Sequence, residues 1–444
     1  MSVQDHHGAA TSEVRSFEPG ADLADLDRRA LARLGREWLL IGHLQDRVGM
    51  PLVLAKHTAG EMAQVAIEEW MGASPIYSAR VQRTLRFGPP YGQHDVATIF
   101  KNIKIDIGAP HHFLDFHFKV IDEHHGEFWL DHCGALMDAE PMGDEYVRRM
   151  CHDIEDPTFD ATAAAIHPCA KIRAIHRPPR IPTDRTPHCH WTAVIDDATE
   201  PYEQHPNLEM VGNSRLATIG LNDPGNDHEP GGWPDLSGDI DPNFHLEDLS
   251  HRALVLTLQE IAIQTHLLAR AFMTCVAQRW GDAEAREFGA GVFIGVAGIG
   301  AQRLRAELAI ASNDAAAIAT VLRFHPVFFP RTYVSPRIEV LDAATVRFAL
   351  CDAPCFAEGD TYSWFATLDG AEAAGAAGAI DAIACAVNPR ARSRRIGTRA
   401  DEVHAFEIVI DPFNEPRRQS GFVSLARLST GADVTFVPRA EVRR

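Results

Sequence analysis

No apolar stretch of this chain approaches the roughly 18 to 20 residues that a membrane-spanning helix requires, so a bilayer span is not expected. Basic residues are also short: 42 Lys and Arg stand against 61 Asp and Glu, a formal net charge of -19. A chain so acidic has no clustered cations with which to displace counterions from a phosphate backbone, and DNA and RNA are not expected as partners. Eight cysteines in 444 residues are too few for a disulfide scaffold, and free thiols or thiolate ligands are the default expectation. No GxSxG elbow, HExxH pair or P-loop is present, and FIGVAGIGAQ at 293–302 has glycines in the wrong order for a dinucleotide loop, which points to close helix packing. The N-terminal MSVQDHHGAATSEVRSFEPG lacks a basic segment followed by an apolar one; the expected location is cytoplasmic, with residues 1–20 a flexible tail.

What is present is a duplication. Residues 21–47 overlay residues 244–270 without a gap at a constant offset of 223, with identities that include Leu26/Leu249, Glu37/Glu260, His43/His266 and Arg47/Arg270. Such self-similarity implies one supersecondary unit used twice. In each copy apolar residues first recur every three or four positions, as Leu23, Leu26, Ala30, Leu34, Trp38, Ile41 and Leu44 do, and then alternate, as in FLDFHFKVID at 113–122. The order helix, helix, strand, strand, helix, helix, strand, strand predicts an α+β fold of two tandem, pseudo-symmetric copies, each a helical pair with an antiparallel sheet. The expected divisions are a first repeat at 21–197, a Pro/Gly/Asp-rich linker or lid at 198–243, and a second, degenerate repeat at 244–444.

The copies differ in chemistry. Cys133, Cys151, Cys169 and Cys189 all lie in the first, each within two positions of a histidine. Strict alternation along EFWLDHC puts Phe128, Leu130 and His132 on one strand face and Trp129, Asp131 and Cys133 on the other, so only one of His132 and Cys133 can point inward. Cys151 shares a helical face with Val147 and Ile154, and Asp156 followed by Pro157 reads as a fresh helix start ending near His167. In KIRAIH, Ile172, Ala174 and His176 share a face, and His188, Cys189 and His190 open the last strand as the densest cluster of ligand types. His43, repeated as His266, reads more simply as part of the scaffold.

The run EWLLIGHLQDRVG, then FWLDHC, RRMC, AAAIHP, and PPR followed by HCHW resembles the L-2-amino-thiazoline-4-carboxylic acid hydrolase-like family over about residues 25–196. The resemblance implies ligand positions at Cys133, Cys151 and Cys189, with His176 where relatives carry a third cysteine, and His167 where an aspartate is more usual. The expected function is a metal-dependent hydrolase of a small cyclic amide, amidine or thiazoline-like substrate. Cys133, Cys151, His176 and Cys189 would hold a divalent transition metal (zinc, manganese or iron), and His167, His188 or His190 would act as general base. Two alternatives stand beside it: a non-haem iron or other metal-dependent oxidoreductase drawing on Glu37 or Asp153, and a non-catalytic ligand- or metal-binding module. The expected partner is a small-molecule substrate, and homo-oligomers are compatible with a fused duplication.

Overall fold

The computed structural model describes residues 21–369 and 376–436, so the proposed N-terminal tail lies outside the described residues. The first unit opens with α1 (Arg28–His43), α2 (Asp46–Lys56), α3 (Ala59–Thr84) and α4 (Val96–Ile103). The hairpin β1 (Leu114–Val120) and β2 (His125–Cys133) follows, then α5 (Gly134–Ala139), α6 (Asp144–Arg148), a π-turn (Arg149–Ile154), α7 (Glu155–Ala164), β3 (Ala170–His176) and β4 (Cys189–Ile195). The connector carries α8 (Asn207–Gly212) and α9 (Arg215–Thr218). The second unit runs α10 (His251–Trp280), α11 (Asp282–Glu307), α12 (Ala315–Phe324), β5 (Pro336–Asp342), β6 (Thr345–Cys351), α13 (Ala376–Val387), β7 (Ala391–Arg395), β8 (Glu402–Ile410) and α14 (Gly421–Ala426).

The fold is α+β, with two four-stranded antiparallel sheets of identical order, β1-β2-β4-β3 and β5-β6-β8-β7. Local chemistry starts the helices: Asp27 accepts the Ala30 N–H, and Thr58 and Glu61 form a capping box at the head of α3. The packing of the helices is the less obvious result. They do not pack unit by unit, because α10 lies against both α3 and α1, and one continuous core holds residues of both copies.

The contacts across this seam are reciprocal, as they are in a two-fold dimer. Arg80 on α3 grips Glu260 on α10 (Nε to Oε2 2.9 Å, Nη2 to Oε1 3.2 Å), and Arg303 on α11 grips Glu37 on α1 through the same atoms at 2.6 and 3.0 Å. Arg28 donates to the Leu249 carbonyl while His251, its counterpart, donates to that of Leu26. Residues 198–243 do not cover the cavity described below. They brace the outside: Asn243 bonds both the N–H and the C=O of Phe118, so the edge strand β1 is capped there, and Lys101 donates to the carbonyls of Leu236 and Gly238.

The leading helices break the symmetry. α10 is a single 30-residue helix, whereas the matching stretch of the first unit is interrupted between His43 and Asp46. Pro51 stands in α2 where α10 has Thr274; without an N–H, and with its ring against the carbonyl one turn back, it disfavours an unbroken helix. His43, Asp46, Arg47 and Met50, on either side of the interruption, line a cavity.

Candidate functional site

The cavity encloses about 160 Å3 between the first sheet and the helices over it. That is the size of hole that takes a benzene-sized molecule. Leu114, Phe116, Leu130, Cys189 and Trp191 form its floor, Met62, Ala66 and Trp70 of α3 stand opposite, and Cys151, Glu155, Thr158 and Phe159 close one end. Its counterpart in the second unit has been filled. His266, the partner of His43, is surrounded by Trp364, Tyr333 and Phe365 at ring distances of 5.4, 5.8 and 5.7 Å, and about 10 Å3 remains.

Two bulges decide which ligand-type residues reach this space. In the β1–β2 ladder Phe116 pairs with Leu130 and Leu114 with Cys133, so three residues of β2 oppose two of β1. The extra residue reverses the alternation: Cys133 turns in and His132 turns out. Its Sγ then caps α5 by accepting the Leu136 N–H at 3.3 Å. In the β3–β4 ladder Ala174 pairs with inward Trp191, but His176 pairs with outward His190, leaving Ile175 as the bulge. His176 therefore leaves the face of Ile172 and Ala174 and does not join the three cysteines; its ring sits 6.0 Å from that of His190 on the outer face. His176→Ala is expected to leave any turnover within about twofold, in the range of surface substitutions; a loss as large as that of a cavity residue in the same assay would contradict this placement.

The remaining expectations divide similarly. His190 faces outward, 3.1 Å from Glu127. His167, at the exit of α7, accepts the Cys169 N–H at Nδ1 and has Nε2 3.6 Å from Asp197, away from the cavity lining. His188 does line the cavity, but its Nδ1 accepts the Cys133 N–H (3.1 Å) and Arg180 approaches Nε2 (3.2 Å), which leaves little room for a base. Burial, Arg180 and His132 hold its pKa below the ordinary value. Glu37 is committed to Arg303 and Asp153 is exposed, so neither supports an iron site here. Asp156 does not start a helix: α7 continues from the π-turn, and Asp156 pairs with Arg177 instead.

Cys133, Cys151 and Cys189 all line the cavity, and burial pushes each thiol up, Cys133 to about 12. Three sulfurs and a carboxylate are donors a soft divalent ion would accept. Their spacing does not close on one. Among the described residues, the groups of three donors lying within 4.8 Å of one another are His167, Cys169 and Asp197, and Asp115, His117 and Asp131.

The residues that sequence patterns did not single out are acids. Burial, reinforced by Asp156 and opposed by Arg177 and Arg47, raises Glu155 to about 7. Burial raises Asp46 to about 6 although Trp70 donates to it at 3.1 Å; Glu69 beside it is raised further by burial and by Asp46 itself, so the two titrate as a pair. Asp106, also near 6 through burial, accepts from the Tyr77 hydroxyl (2.9 Å) and the Gly108 N–H (2.7 Å). Nothing in their spacing marks these acids, because what distinguishes them is burial.

The second unit also reaches into the edge of the site. Arg47 donates to Asp138 (3.1 Å), and Asp138 accepts from Ser429 Oγ (2.6 Å) and from the Thr430 N–H and hydroxyl (both 2.7 Å). Asp138→Ala is expected to cost about 1–3 kcal/mol by leaving these donors unsatisfied, read as a lower urea midpoint; an unchanged midpoint would show that the C-terminal segment does not depend on this clasp.

No known protein family, curated protein or solved structure matches the chain.

Proposed function

We propose that the chain is a hydrolase of a small cyclic amide, amidine or thiazoline-like molecule bound in the first-unit cavity, with Glu155 as the proton-transfer group. The observation that carries this reading is Glu155 on the wall of the cavity that stays open, without an ion-pair partner among the described residues and raised by burial to about 7, above Asp46 and Asp106 at about 6. A group whose pKa lies near the working pH can both take and return a proton. In this reading Glu155 removes a proton from water as its oxygen attacks the ring carbon between the heteroatoms. It returns the proton to the departing ring sulfur or nitrogen as that bond breaks. For 2-amino-2-thiazoline, one water opens the C–S bond and leaves a urea bearing a free thiol.

A second reading, metal-dependent hydrolysis, is favoured by the convergence of Cys133, Cys151 and Cys189 on one cavity. A soft divalent ion held there would supply a water of lowered pKa. The spacing of the sulfurs does not support routing any step through it.

The test is turnover by the full chain before and after chelation, of thiazolines by titrating the released thiol with a disulfide reagent and of cyclic amidines and amides by the mass of the ring-opened product. Turnover that survives chelation and is lost in Glu155→Gln supports the first reading. Loss on chelation, restored by zinc and absent in Cys189→Ala, supports the second; no ring opening with any such substrate would sink both.

A further inference from the structure

We infer that the molecule bound in this cavity is a compact organic cation of the amidinium type that carries no carboxylate. The inference rests on the reading of the cavity as a substrate site and goes beyond it by assigning the charge of the occupant. Asp46, Asp106 and Glu155 line the space, and the basic residue in the lining, Arg47, is already bound to Asp138. The two arginines nearest the closed end are engaged as well, Arg177 with Asp156 and Arg180 with Glu140. His43 and His188 are held neutral by burial, His43 at about 3. A carboxylate entering the cavity would meet like charge and, among the described residues, no free cation, an unfavourable exchange for its hydration.

A cation meets the opposite conditions. An amidinium presents two parallel N–H donors, which match the two oxygens of a carboxylate. Trp70, Phe116, Phe159 and Trp191 line the same space, and an aromatic ring attracts positive charge placed over its face.

Binding must then be linked to pH. Asp46 is faced by Glu69, Trp70, Arg47, Tyr77 and Tyr146, and Asp106 by Tyr77 and the Gly108 N–H. Both acids, at about 6, are largely protonated at pH 5 and ionised at pH 7.5, so a cation binds better as pH rises. For a single group near 6 the change between pH 5 and pH 7 is about tenfold.

The experiment is isothermal titration of the full chain with 2-amino-2-thiazoline, its 4-carboxylic acid, and the neutral 2-thiazolidinone. The expected result is that the first binds at least tenfold more tightly than the other two at pH 8 and weakens about tenfold between pH 7 and pH 5. Asp106→Asn should weaken binding and reduce that pH dependence; the variant is first checked for an unchanged single unfolding transition. Equal or tighter binding of the acid or the neutral ring overturns the charge assignment while leaving the cavity as a substrate site. Failure of all three to bind at millimolar concentration overturns the charge assignment and the substrate-site reading together.

Discussion

Glu155→Gln is expected to lower kcat by about 10²- to 10⁴-fold, the usual contribution of a positioned general acid–base group, with a smaller effect on substrate binding above pH 8 than on turnover. The wild-type rate should show an apparent pKa near 7 that the variant lacks. Stability should move the other way. Glu155 ionises near 4.5 when unfolded and near 7 when folded, so the folded state holds the extra proton between those values. The stabilisation from that proton is complete below about pH 4.5 and is lost as pH rises through 7. Glutamine cannot ionise, so the variant should match the wild type at pH 5 and unfold at a higher temperature at pH 8. A variant that is inactive and also destabilised at pH 8 would mean that Glu155 is a structural acid, and the catalytic assignment would fail.

Glu260→Ala is expected to destabilise the chain by about 3–5 kcal/mol. Glu260 is 2% exposed and receives both arms of Arg80 and the Thr84 hydroxyl (2.8 Å), while Arg80 also donates to the carbonyls of Ala217 and Ile219. Removing the carboxylate leaves a buried guanidinium without its counter-charge. Glu37→Ala should behave similarly, because Arg303 stands in the mirrored position. In that pair burial raises the Glu37 pKa more than Arg303 lowers it, so the bridge itself adds little net stability. Replacing both partners, as in Glu260→Leu with Arg80→Met, should therefore cost far less than either single change. Since one core serves both units, each single variant should unfold in one transition at a lower urea midpoint. Two separated transitions, or a shift below about 1 kcal/mol, would show that the seam does not couple the units.

Much of the architecture was legible before any coordinates. The three- and four-residue spacing from Leu23 to Leu44 and the alternation in FLDFHFKVID give the helical pair and the hairpin, and the constant offset to the second copy gives the repeated sheet. These signals survive because each reports burial of one face, which a repeating pattern encodes directly. The contrast between a first copy rich in cysteine and histidine and a plainer second copy pointed to the half that keeps its cavity. The site residues were less legible. Cys133, Cys151, His188 and Cys189 reach the cavity, while His176, His190 and His167 do not. Single extra residues at Ile175 and within β2 reverse the faces that strict alternation assigns, and no propensity announces such a bulge.

A duplicated α+β unit, and the half in which chemistry is to be sought, follow from the order of residues alone, since periodicity and repetition are properties of that order. Tertiary structure alone decided that the two copies share one core through mirrored Arg–Glu pairs, that aromatic rings fill one cavity and leave the other open, and that Glu155 lies half-buried beside three thiols. The physical reason is that burial, and with it the proton affinity of an acid, depends on which distant segments pack around a residue.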